Sequence, residues 1–177
     1  MVGTPGTRAK IVCPEFGLIM DQPDGEDEPD ISPYMTIGQY DDLTIALGED
    51  LTWVKIARDR TAAVMSAWGL GGHVPAATLV VSELVTNALR HALPSVEVRP
   101  HPPVLLRLMR RGRSVMCLVA DPCDHPPVLA EADFAAETGR GLYLVAAHSR
   151  RWDWAPRRDR PGKWVWALLP PPADASR

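Results

Sequence analysis

Pro75 and Pro94 bracket the run AATLVVSELVTNALRHAL (76–93), which contains no glycine or proline of its own. Proline is tolerated in the first turn of a helix, where its missing N–H has no partner to lose, and it stops a helix that reaches it from the N-terminal side. The spacing therefore predicts a single helix over Ala76–Leu93. At about 100° per residue, Ala77, Val81, Leu84, Val85, Ala88 and Ala92 fall on one arc. Ser82, Glu83, Thr86, Asn87, Arg90 and His91 fall on the other. Glu83, Asn87 and His91 stand at i, i+4 and i+8, one column of polar side chains. An ordinary solvated face explains such a column. Against it, Thr and Asn are mediocre helix formers, and a purely wet face more often uses Lys, Glu, Gln or Arg. A carboxylate one turn before an amide also suits metal, phosphate or proton chemistry.

Whatever this helix packs on must come from a chain of 177 residues, a length that suits one domain. Apolar residues make up 46%, enough for a core, while the net charge of −3 gives no bulk attraction to nucleic acid. No apolar run approaches the ~20 residues of a membrane span, and Pro14 and Glu15 break the short apolar stretch after Arg8 and Lys10, a poor secretory signal. The three cysteines, Cys13, Cys117 and Cys123, have no framework spacing and fit a reducing, cytoplasmic setting. Cys123-Asp124-His125 is a weak metal pattern and reads as incidental.

Residues 1–40 differ from the rest. Prolines recur, and Asp21, Asp24, Glu26, Asp27, Glu28 and Asp30 make an acidic run. Such a segment buries too little to offset its ordering entropy and reads as a flexible extension. From residue 41 the pattern becomes regular. Leu43–Leu47 alternates as a strand, and a helix over about 51–68 follows with Asp50 as N-cap and Val54, Ala57, Val64 and Trp68 on its buried side. Strands over Val104–Met109 and Val115–Ala120 flank a tight, Arg-rich turn, an antiparallel hairpin with a solvated tip. The second strand runs into Asp121, where a ligand contact and an Asx turn both fit. Gly139-Arg140-Gly141 opens an apolar helix from Leu142 to about Ser149. Strands near Arg151–Trp154 and over Trp164–Leu169 enclose a basic turn, with tryptophans spaced for sheet packing. A frayed tail follows Pro170, with 171–177 disordered. The order predicts an α+β two-layer sandwich: an antiparallel or mixed sheet of about five strands with helices on one face.

The motifs together resemble the GHKL (histidine-kinase-like) ATPase superfamily over about Asp41–Pro170, and within it the serine/threonine-kinase anti-sigma factors and their small actinobacterial ATP-binding relatives. Ser82–Ala92 is similar to the superfamily's N box, Gly139-Arg140-Gly141-Leu142 to its G2 box, and Gly162-Lys163-x-Val165-Trp166 to its last conserved element. Asp121 stands where the G1 box begins, but Pro122-Cys123-Asp124-His125 follows in place of Asp-x-Gly-x-Gly. The resemblance implies a Bergerat-type sandwich that binds ATP and Mg²⁺. Asn87 would hold the metal, Glu83 would act as catalytic base, and Asp121 would accept from the adenine amine. Gly139, Arg140, Gly141, Leu142 and Lys163 would line the nucleotide, residues 122–138 would form a lid, and His91 would lie nearby.

The implied partners are a sigma factor, an anti-sigma-factor antagonist phosphorylated on Ser or Thr, and a second copy of the chain. Retention of both Glu83 and Asn87 favours a kinase. The altered G1 stretch favours a non-catalytic module whose ATP sets a partner surface. A third reading uses the Arg-rich hairpin for nucleic acid, and the acidic charge balance opposes it.

Overall fold

The computed structural model describes residues 11–13, 18–20, 41–97, 102–128, 140–157 and 160–171. The earliest elements are short: β1 (Ile11–Cys13) pairs antiparallel with β2 (Leu18–Met20). Two three-residue apolar runs flank Pro14–Gly17, and this pairing is regular structure inside the stretch read as a flexible extension. The rest of 1–40 lies outside the described residues, as do 172–177.

From residue 41 the order is β3 (Asp41–Leu47), α1 (Thr52–Ala67), α2 (Val74–Asn87), β4 (Val104–Arg111), β5 (Ser114–Asp121), α3 (Gly141–His148), β6 (Arg151–Pro156) and β7 (Lys163–Leu168). The sheet runs β3-β4-β5-β7-β6, and every pairing is antiparallel. The α+β sandwich and its five strands are therefore as expected, and the sheet is antiparallel throughout rather than mixed. β4 and β5 join through Gly112-Arg113, and Gly112 takes the left-handed φ of +59° that a two-residue hairpin turn asks for. In the β5–β7 ladder, Asp121 stands opposite Lys163.

The main core lies between the helices and one sheet face. Val104, Leu106 and Leu108 of β4, Val115, Cys117 and Val119 of β5, and Val165 and Ala167 of β7 meet Ala77, Val80, Val81, Leu84 and Val85 of α2. On α1 the buried stripe is Ala57, Thr61 and Met65, at i, i+4 and i+8, while Val54, Val64 and Trp68 flank it half-buried. The expected stripe was thus displaced by Thr61, whose hydroxyl can enter the core because it donates to Ala57 O at 2.7 Å. Asp50 accepts from the Thr52 N–H at 2.8 Å and from the Thr52 hydroxyl, one residue ahead of the cap position. The cap position itself falls on Leu51 and not on Asp50 as expected, though Asp50 still supports the start of α1.

The alternate residues of the strands form a second apolar cluster on the opposite sheet face: Met109, Met116, Leu118, Trp166 and Leu168, with Trp164 packed against it. Arg151 stacks 5.7 Å above the Trp166 ring and Arg157 5.4 Å above the Trp164 ring. Trp152 and Trp154 pack on the helix side. All four tryptophans are thus sheet-packing residues. The Arg-rich hairpin is tied into the protein: Arg107 bonds Asp42 at 2.8 Å and Arg110 donates to Trp68 O at 2.8 Å.

Candidate functional site

The helix predicted between the two prolines has a more complex end than its sequence indicates. α2 is regular through Asn87, then Ala88–Ala92 widens into a π-turn in which the Leu93 N–H donates to Ala88 O, and Leu93–Ser95 closes as a 3-10 turn. Pro94 explains the change: it has no N–H to continue the α pattern, and its ring crowds the carbonyl four residues back. The six residues of the expected apolar arc are all buried. On the polar arc, Ser82, Glu83, Thr86 and Asn87 are half-buried, and only Arg90 and His91 are exposed. A wet face does not produce that gradient. Something covers the first half of the column.

The cover is the start of α3. A Cβ placed on Gly141 would stand 2.7 Å from Glu83 Oε2, 3.3 Å from Asn87 Oδ1 and 3.4 Å from Asn87 Nδ2. The missing side chain of Gly141 is what lets the N-terminus of α3 meet both polar groups. Arg140 occupies the cap position and makes no side-chain cap bond, and a helix start of this kind favours an anion. Gly139 lies outside the described residues, and so do positions 129–138 of the expected lid.

Beside this contact opens a cavity of about 540 Å³, a size that suits a nucleotide. Its helix side carries Leu84, Asn87, Ala88, His91, Gly141 and Leu142. Its sheet side carries Val119, Asp121, Lys163 and Val165, and the chain after β5 adds Cys123, His125 and Val128. Six of the expected site residues and neighbours thus share one wall system: Asn87, His91, Asp121, Gly141, Leu142 and Lys163. Glu83 is not on the lining itself, but its carboxylate abuts Gly141, which is.

Asp121 makes the Asx turn and also lines the cavity, where a ligand contact was expected. Its Oδ1 accepts from the Cys123 N–H at 2.9 Å and from Lys163 Nζ at 2.9 Å. Lys163 donates further to Cys123 O at 3.0 Å. Asp121 is 3% exposed and Lys163 5%. Burial dominates and leaves the Asp121 carboxyl above its usual range, and Lys163, the Cys123 N–H and the charge of Arg157 offset only part of that rise.

The glycine-free loop after Asp121 is held from elsewhere. The Gly162 N–H donates to Asp124 Oδ1 at 2.6 Å, and Gly162 has a φ of +122° with no room for a Cβ, which would collide with the Asp121 carbonyl. The close backbone approach is made by a glycine of the β6–β7 turn. Asp124 is a site-building residue that sequence reasoning missed, because its partner lies 38 positions away. Cys123 Sγ sits 3.5 Å from His125 Nδ1, yet no group of three His, Cys, Asp or Glu residues fit for a metal occurs among the described residues.

This arrangement has a hard-oxygen amide beside a carboxylate at a helix N-terminus, and a buried carboxylate on the sheet. Such a layout suits a phosphate-bearing ligand. The chain matches the histidine kinase-like ATPase domain over residues 40–168. It belongs to that family. No curated protein matches the chain. The matched span is the α+β unit described above, and it leaves the β1–β2 ladder outside the ATPase domain. Among the described residues, no helix is long and apolar enough to cross a membrane.

Proposed function

We propose that this histidine-kinase-like ATPase domain binds ATP with Mg²⁺ and works as an anti-sigma-factor-type regulator, holding a sigma factor and phosphorylating Ser or Thr of an antagonist protein. The observation that carries the nucleotide part is the meeting of Glu83, Asn87 and Gly141. The residues fit the ligand. Mg²⁺ prefers oxygen donors and keeps waters and phosphates for most of its shell, so one amide oxygen from Asn87 suffices. The N–H groups at the start of α3 suit phosphate oxygens. Asp121 offers an acceptor for the adenine amine, and the apolar Leu84, Val119, Leu142 and Val165 enclose the base.

In this reading Glu83 takes the proton of the attacking Ser or Thr hydroxyl as its oxygen bonds to the terminal phosphorus, and ADP leaves with the electrons of the broken P–O bond. Asn87 positions the metal, which supplies charge neutralisation when bound. Titrating ATP·Mg²⁺ into wild type, Asn87→Ala and Asp121→Ala tests the site: binding is expected for wild type and lost in both variants. Unchanged affinity in both variants refutes it. Phosphotransfer to candidate antagonists then tests the kinase step, with Glu83→Ala expected to retain binding and lose transfer.

A second reading is a non-catalytic module in which ATP sets the partner surface alone. The Asp121–Lys163 pairing and the glycine-free loop favour it, since both tie the adenine side of the site tightly. Stable ATP binding with no transfer to any antagonist selects this reading.

A further inference from the structure

A lysine in a nucleotide site ordinarily serves as a mobile point charge for phosphates. Lys163 is placed for a different task. Its ammonium is buried, and two of its three protons are committed to Asp121 Oδ1 and Cys123 O. It stands at the first residue of β7, on the sheet side of the cavity, whereas Asn87 and the start of α3 lie on the helix side. To reach a phosphate it would have to leave a buried carboxylate unpaired, a strongly unfavourable step. Both described contacts of Asp121 fall on Oδ1, so Oδ2 carries neither the lysine nor the Cys123 N–H.

We propose that Lys163 is a positioning residue for base recognition, not a phosphate ligand: it fixes Asp121 in one orientation as an ionised acceptor whose second oxygen takes the exocyclic amine of adenine. The proposal rests on the nucleotide reading above. Its physical logic is the conflict between burial and charge. A carboxylate must be desolvated to read a base closely, and desolvation favours the protonated form, which is a poorer acceptor. Lys163 from β7 opposes that, and Arg157 at the end of β6 adds a smaller pull in the same direction. The other titratable groups around the cavity are Cys123, Asp124 and His125 on the same loop and His91 across the cavity on the wide turn. None of these side chains makes a described bond to the Asp121 carboxylate, whose contact with Cys123 is through the backbone N–H.

The test compares Mg·ATP, Mg·ADP and AMP binding to the full chain by calorimetry, for wild type and Lys163→Met, from pH 5 to 8. All three nucleotides are expected to weaken by a similar factor at neutral pH, roughly tenfold, the scale of one charge-assisted hydrogen bond. The acid midpoint of ATP binding is expected to move up relative to wild type, and the preference for ATP over GTP to narrow. Lys163→Arg, which keeps the charge, is expected to restore most of the pH profile. If Lys163→Met does not fold, Lys163→Gln is read in the same way. A loss confined to ATP, with AMP unaffected, identifies a phosphate contact and overturns the proposal, as does an unmoved acid midpoint. If wild type binds none of the three nucleotides, the nucleotide reading itself fails. If wild type binds and the variants behave alike, only the role of Lys163 fails.

Discussion

Gly141 and Gly162 each make a contact that no other residue can make, for different reasons. At Gly141 the backbone is helical and ordinary, and only the neighbours forbid a side chain. A Cβ would press on the Glu83 carboxylate and the Asn87 amide. Both are ends of side chains that can yield, so Gly141→Ala is expected to fold with a small change in melting temperature and to lose ATP·Mg²⁺ affinity. Calorimetry beside a thermal melt separates the two effects. At Gly162 the φ of +122° and the Asp121 carbonyl both exclude a side chain. Gly162→Ala is therefore expected to destabilise the protein by about 2 kcal/mol or more, since backbone cannot move aside as a side-chain end can. Denaturant unfolding measures this. The two glycines also mark the limit of what was legible residue by residue. Gly141 was readable as part of a Gly-x-Gly helix start. The demand on Gly162 comes from a strand end far away in sequence, and no local pattern encodes it. The same holds for Asp124.

At the scale of elements, periodicity carried most of the information. The strands β3 to β7 fall within two residues of their expected limits, and the helical stretch around α2 is recovered although its regular part stops six residues short of Leu93, because alternation at two and recurrence at 3.6 mirror burial directly. Two departures have physical causes. The widened turn at Ala88–Ala92 is a hydrogen-bonding consequence of Pro94 that apolar spacing does not reveal. The buried stripe of α1 contains Thr61, a residue that scores as polar yet satisfies its hydroxyl within its own helix. Met65, fully buried in that stripe, gives an element-scale prediction. Met65→Ala leaves a void between α1 and the core and is expected to cost about 2–5 kcal/mol of stability. It touches none of the cavity, so ATP affinity of the folded fraction should be unchanged.

For the molecule as a whole, one buried histidine links stability to pH. His73 precedes α2, is 2% exposed, and has no hydrogen-bond partner on either ring nitrogen among the described residues. Burial pushes its pKa below the usual 6.5. The Pro170 carbonyl, nearby but outside hydrogen-bond geometry, partly offsets this, and the charge of Arg113 adds to the depression. The unfolded chain therefore binds a proton at a higher pH than the folded one. The stabilising contribution is full above about 6.5 and is lost as pH falls from there through the folded value. Thermal melts of wild type between pH 8 and 5 should show this decline. His73→Leu should flatten that part of the curve, and a curve unchanged by the substitution would exclude His73 as its source. Cys117, by contrast, is pushed up to about 12 by complete burial, so its thiol is inert at any pH where the protein works.

The position of Asp121 directly across from Lys163 has a consequence for how the sheet finds its pairing. Side chains alternate between faces along a strand, so sliding β7 by one residue against β5 would turn Lys163 away from the cavity and swing Trp164 into it. The carboxylate would then be buried beside an indole, with no cation to answer it. Both apolar faces of this sheet are buried, so hydrophobicity alone discriminates weakly between the two alignments. The ion pair breaks that near-symmetry. It acts as a key for strand alignment, so the chain cannot mispair β7 without also destroying the pocket. Misaligned copies are thereby marked by an unpaired buried charge rather than left as stable, inactive look-alikes.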